Sequence, residues 1–130
     1  MNGNRNGKGK EYDNYGKLIF EGEYLNGKKW NGKGKEYYNN GKLKFEGEYL
    51  NGEINGKGIE YYDDGLLLFE GEYLNGLRNG KGKEYFPNGT LMYEGEYLNG
   101  KRSGKGKEYS YGKLTFEGEY LNGERNGKGK

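Results

Sequence analysis

In five places this 130-residue chain sets two glutamates two residues apart, as in Glu46-Gly47-Glu48. On an extended strand that spacing puts both carboxylates on one face about 7 Å apart. Such a pair invites comparison with the two carboxylates of a glycosidase. The pair recurs in every copy, however, and a catalytic site need not be made five times. A solvated, charge-paired face is the better reading. Thr90, Ser103, Ser110 and Thr115 are the only hydroxyl residues besides tyrosine, and histidine and cysteine are absent. The usual nucleophile–base arrangements therefore cannot be built. The commonest metal ligands and any disulfide framework are missing too. No catalytic residue, cofactor or metal is expected.

Other chemistries fare no better. The Gly-Lys-Gly-Lys strings lack the spacing and strand-to-helix setting of a phosphate loop. Lys33, Lys35, Lys57, Lys81, Lys83, Lys105 and Lys107 could form a basic stripe facing acidic lipid headgroups. They are matched by Glu21, Glu23, Glu46, Glu48, Glu70, Glu72, Glu94 and Glu96. An aromatic cage for choline or glucan leans on tryptophan, and Trp30 is the sole one. A net charge of +2, from 22 basic and 20 acidic residues, argues against nucleic acid as partner. No small-molecule substrate is expected.

The elements that position these residues come from a repeat. The string F/Y-E-G-E-Y-L-N-G begins at Phe20, Phe45, Phe69, Tyr93 and Phe116, in steps of 25, 24, 24 and 23 residues. A second string, N/S-G-K-G-K/I, follows each copy, with an orphan at Asn6. Self-similarity at this period marks a repeat array. The whole chain, 1–130, reads as one array: a half unit 1–16, units 17–41, 42–65, 66–89 and 90–112, and a truncated unit 113–130. The first unit carries an extra residue in its inner loop, Lys28-Lys29-Trp30, and the fourth is followed by a shortened connection, Ser110-Tyr111-Gly112. The array starts and stops inside a unit without the capping repeat such arrays need. It is expected to be excised from a longer array or engineered, and the latter would have no natural partner.

In the unit 42–65, apolar and polar residues alternate from Leu43 to Leu50, the period of a half-buried strand. Asn51-Gly52 is a hairpin turn, since both residues must adopt positive φ. A second strand runs from about Asn55 to Tyr62, and Asp64-Gly65 is expected to be a turn of the same kind. Glycine every few residues disfavours helix. A two-residue turn at Asn51-Gly52 sets Gly58 opposite Phe45, Gly56 opposite Gly47 and Lys57 opposite Glu46. The ring can then lie over bare backbone. One feature resists this register. Glu60 falls on the Phe45 side and Tyr61 on the charged side, as do the other Glu-Tyr pairs. Either a bulge or longer inner loop flips the strand, the favoured choice, or both faces carry aromatics. The fold expected is all-β, an elongated antiparallel meander of ten to eleven strands, on the order of 50 Å long at about 4.8 Å per strand. Its repeat core comprises Phe20, Gly22, Tyr24, Phe45, Gly47, Tyr49, Phe69, Gly71, Tyr73, Tyr93, Gly95, Tyr97, Phe116, Gly118 and Tyr120, with tyrosine hydroxyls at the surface.

These strings resemble the MORN repeat. Phe45-Glu46-Gly47-Glu48-Tyr49-Leu50-Asn51-Gly52 and Gly56-Lys57-Gly58 fit its pattern, as do their copies. The family's histidine is replaced by Asn31, Asn55, Asn79, Ser103 or Asn126, and its frequent tryptophan by tyrosine. In those departures the chain is more similar to bacterial arrays, including those labelled YwqK-like, than to eukaryotic ones. The resemblance implies an all-β rod acting as spacer, protein-binding platform or self-association element. A role on anionic phospholipid membranes is also attributed to the family. The expectation is a scaffold rather than an enzyme, with a protein partner or self-association through open sheet edges and lipid as the second class of partner. Trp30, Tyr37, Tyr61, Tyr85 and Tyr109 are the candidate contact residues. No apolar leader or membrane span is present, so the expected setting is cytoplasmic.

Overall fold

The computed structural model describes residues 7–129; residues 1–6, which begin the half unit and include Asn6, and Lys130 lie outside them. Eleven strands form one antiparallel sheet in sequence order. They are β1 (Gly7–Tyr12), β2 (Leu18–Leu25), β3 (Lys28–Tyr37), β4 (Leu43–Leu50), β5 (Glu53–Tyr61), β6 (Leu67–Leu74), β7 (Leu77–Tyr85), β8 (Leu91–Leu98), β9 (Lys101–Ser110), β10 (Lys113–Leu121) and β11 (Glu124–Gly129). Each pairs with its chain neighbours, so the architecture is the meander that period-two alternation predicts. No helix among the described residues is long and apolar enough to cross a membrane.

The Asn-Gly turns explain the tight inner connections. Asn51 sits at φ 53° and Gly52 at 88°, and the other four inner turns repeat this. Both central residues are left-handed, which matches the twist of the flanking strands. The outer connections differ from expectation. At Asp64-Gly65 only the glycine has positive φ; the Asp64 side chain instead accepts a hydrogen bond from the Leu66 N–H at 3.0 Å. The longer turn runs from Tyr62, whose N–H donates to Leu66 O at 2.8 Å. The shortened connection is a true two-residue turn, with Tyr111 at φ 53°.

The register also differs. Leu50 faces Glu53 and Tyr49 faces Ile54, but Gly47 faces Gly58, Glu46 faces Ile59 and Phe45 faces Glu60. Three residues of β5, Asn55 to Lys57, therefore stand against Glu48 alone. This bulge shifts the pairing by two positions from the one a plain two-residue hairpin dictates. Its cause is local: the Glu48 carboxylate folds onto it and accepts the Lys57 N–H at 3.4 Å, and Glu72 and Glu96 accept Lys81 and Lys105 at 2.9 and 3.1 Å. A shift of two preserves side-chain parity. The favoured expectation, a bulge that flips the strand, is therefore not met: the bulge exists but flips nothing, and the alternative holds, with Tyr61 on the charged face and aromatics on both.

The first hairpin solves its extra residue differently. Its turn stays two residues long, Trp30 is absorbed as a bulge, and Gly22 faces Gly32. In the later hairpins the partner of the corresponding glycine lies two residues further along. A Cβ on Gly82 would meet the Phe69 ring at 2.6 Å, so the rings do lie over bare backbone, diagonally rather than directly opposite.

Along one face the rings interlock. Phe69 touches Tyr73 and Tyr97, Tyr93 touches Tyr97 and Tyr120, and Phe116 touches Tyr120. All are edge-to-face, with centroids 5.2–5.7 Å apart, the geometry ring quadrupoles favour. Phe20, Tyr24, Phe45, Phe69, Tyr73, Tyr93, Tyr97 and Tyr120 are buried; Tyr49 and Phe116 are half-buried. Phe45 to Phe116 belong to one core, joined by Ile54, Leu68 and Met92.

Candidate functional site

The two faces of the sheet divide the chemistry. On the aromatic face, Glu60 accepts from the Tyr73 hydroxyl and from both Arg78 Nε and Nη2 at 3.1 Å. The Arg78 guanidinium lies 4.0 Å above the Phe69 ring. Glu84 with Tyr97 and Arg102, and Glu108 with Tyr120 and Arg125, repeat the arrangement. Burial and the carboxylate together push the Tyr73 and Tyr97 phenols far up. Burial opposes ionisation of Glu84, but its bonds from Arg102 and Tyr97 outweigh that and hold its pKa down. Arg125 holds Glu108 down at about 2. These hydroxyls are met by glutamate, not left at the surface as expected. The group is a lid on the rings, with each member bonded within the protein.

This lid explains why glutamate falls on the aromatic side. The arginines were missed from sequence because their position reads Lys29, Ile54, Arg78, Arg102 and Arg125 across the units. The recurring misplaced glutamate was the signal that a cation had to sit near it.

The opposite face is open. Glycines from Gly47 to Gly118 face one another across seven strands. Rows of lysine and glutamate flank this line and bound a trough of about 1080 Å³ over β5 to β10, with a smaller one of about 180 Å³ over β3 to β5. Across the strands charge alternates: Glu70 faces Lys83, Lys83 faces Glu94, Glu94 faces Lys107 and Lys107 faces Glu117. The expected Lys57–Glu46 pairing is replaced by Lys57 opposite Glu72 on the next strand. The closest approaches, such as Lys83–Glu94 at 4.0 Å, are half exposed. Pairs of this kind contribute roughly 0–1 kcal/mol, so the face is balanced in charge without being locked.

Tyr61, Tyr85 and Tyr109 stand at the ends of β5, β7 and β9 and donate to Glu46, Glu70 and Glu94 at 2.9, 2.8 and 3.1 Å. Burial, then the glutamate bond, raises Tyr61 and Tyr85 to about 12. Tyr37, at the end of β3, donates to Leu18 O at 3.4 Å, under the Lys17 ammonium. Trp30 is at the far end of β3, about 23 Å from Tyr37 at the rise of a strand. Its carbonyl accepts the Gly52 N–H at 2.9 Å. Tyr61, Tyr85 and Tyr109 are therefore each bonded to a glutamate that lines the trough, whereas Tyr37 is bonded to backbone and Trp30 lies at the other end of its strand. Among the described residues no group of three or more carboxylates could hold a metal.

The MORN repeat model matches residues 1–17, 45–66, 69–91, 93–115 and 116–130, and the model of a MORN repeat variant matches residues 30–51. No curated protein matches the chain.

Proposed function

This chain belongs to the MORN repeat family, and on that premise we propose that it is a non-enzymatic scaffold whose charged trough holds a segment of a protein partner. The observation that supports this is the contrast between the faces. The aromatic side has its polar groups closed against one another, whereas the trough presents half-exposed lysines and glutamates beside bare backbone. Peptides selected for binding to the full chain test the reading. They are expected to lose about tenfold in affinity, one charge-assisted contact's worth, when Lys83, Glu94, Lys107 and Glu117 are all changed to Gln. Binders indifferent to that change would contradict it.

Self-association is a second reading, supported by Leu25, Leu50, Leu74, Leu98 and Leu121, all exposed at the same repeat position. Sedimentation showing dimer that Leu74→Lys and Leu98→Lys abolish would favour it; monomer at high concentration would end it. Binding to anionic membranes has less support, because the lysine rows alternate with glutamate. Co-flotation with anionic liposomes at moderate salt would reinstate it.

A further inference from the structure

The alternation of charge in the trough has one gap. Reading across the strands, the row runs Lys35, Glu46, Ile59, Glu70, Lys83, Glu94 and so on. Elsewhere this row has lysine between its glutamates; in β5 it has Ile59. Glu46 and Glu70 therefore each face a lysine, Lys35 or Lys83, on one side only. In the same row Glu94 and Glu117 each have a lysine within 4.0 Å, whereas neither Glu46 nor Glu70 makes an ion pair among the described residues. Their carboxylates are nonetheless held in place, one by the Tyr61 hydroxyl and the other by Tyr85. Each tyrosine bonds Oε1 and leaves Oε2 outside that bond. Ile59 lies between them, half-buried, and lines both parts of the trough.

Two carboxylates about 10 Å apart, one strand to each side of an apolar side chain, form a seat with a defined chemistry. An aliphatic stem can lie on Ile59 while its cationic head meets Glu46 and Glu70. Lysine and arginine side chains have that construction, and arginine's fork suits carboxylate oxygens best. We propose that the Glu46–Ile59–Glu70 station receives a basic side chain, arginine above lysine, from the protein segment that lies in the trough, and so sets which partner binds and in what position. The inference rests on the trough reading above. It goes further by naming the partner's chemistry at one point.

A fluorescent (Ser-Arg)4 peptide, titrated into the full chain with anisotropy and methyl NMR as readouts, tests it. The Ile59 methyl signals should shift on binding. Ile59→Lys puts back the residue type found in the other hairpins, so it should fold; it is expected to weaken binding about tenfold. Leu121→Lys adds the same charge five strands away, on an exposed side chain, and should change affinity less than about twofold, the loss expected of an added rim charge in salt. Lys83→Ile removes the lysine facing Glu70 and continues the apolar seat to Glu94, so it should tighten binding at unchanged stoichiometry. Equal losses from Ile59→Lys and Leu121→Lys would reduce the effect to net charge and overturn the proposal. No loss from Ile59→Lys, with weaker binding on neutralising Lys83, Glu94, Lys107 and Glu117, would overturn the station and leave the trough standing. No loss from either would sink both. A change in dimer fraction on Ile59→Lys without peptide would make a second copy the occupant and overturn the proposal in that way.

Discussion

The two faces of this sheet are built from the same strands, yet they do opposite work. The aromatic face is closed: rings seat in one another edge to face, and each Tyr-Glu-Arg group spends its hydrogen bonds internally. The charged face is open, with pairs at about 4 Å and half exposed. A single-layer sheet has no second layer to cover its apolar side, so arginine and glutamate act as that cover. The difference teaches that repeat identity need not mean functional uniformity. One face must repeat to propagate the core, while the other can change one residue, as at Ile59, without disturbing the fold.

The largest expected effect comes from breaking the closed face. Phe69 is fully buried, and Phe69→Ala should cost about 3–5 kcal/mol, measured by urea unfolding. Next is its cover. Arg102→Ala strands the half-buried Glu84 and should cost about 1.5–3 kcal/mol in the same assay. Ile54→Arg would extend the cover to Glu36 and Tyr49, where unit two lacks it, and should raise stability by about 0.5–1 kcal/mol.

Smaller effects are expected at the trough's rim. Tyr85→Phe removes one hydrogen bond to Glu70 and should cost about 1 kcal/mol near neutral pH. Because Tyr85 is raised from 10.0 to about 12 in the fold, the bond's contribution is complete below pH 10. It fades as pH rises through about 12, so parent and variant should converge there. Glu108 behaves in the reverse sense. Its folded pKa of about 2 lies below the ordinary 4.5, so its contribution is present above pH 4.5 and is lost as pH falls through about 2. Glu108→Gln should therefore narrow its stability gap to the parent as a pH titration of unfolding enters that window.

Much of this was legible in the residues. The strings from Phe20 onward place the strands, and Asn-Gly admits few structures other than a left-handed two-residue turn. The register was not legible. It depends on Glu48 reaching back to hold the Lys57 N–H, a contact between residues whose spacing carries no periodic signal. Asp64-Gly65 resembles Asn51-Gly52 in letters but not in form, because Asp64 caps the Leu66 N–H. Trp30 was legible as an insertion but not as a bulge that slips Gly22 against Gly32. The trough was visible only as matched charges; that Ile59 leaves two glutamates with a facing lysine on one side only follows from knowing which strand neighbours face them.

Thermal melts of two variants set the faces against each other most directly. In the first, Lys83, Glu94, Lys107 and Glu117 all become Gln, which empties the charge row from β7 to β10 without changing net charge; in the second, Phe69 alone becomes Ala. A kcal/mol corresponds to roughly 3–6 °C in a chain of this size. The fourfold trough variant should therefore melt within a few degrees of the parent, while the single ring truncation should fall by roughly 10–25 °C. A trough variant that loses as much as Phe69→Ala would show that the charged face holds the fold together and is not free to serve a partner.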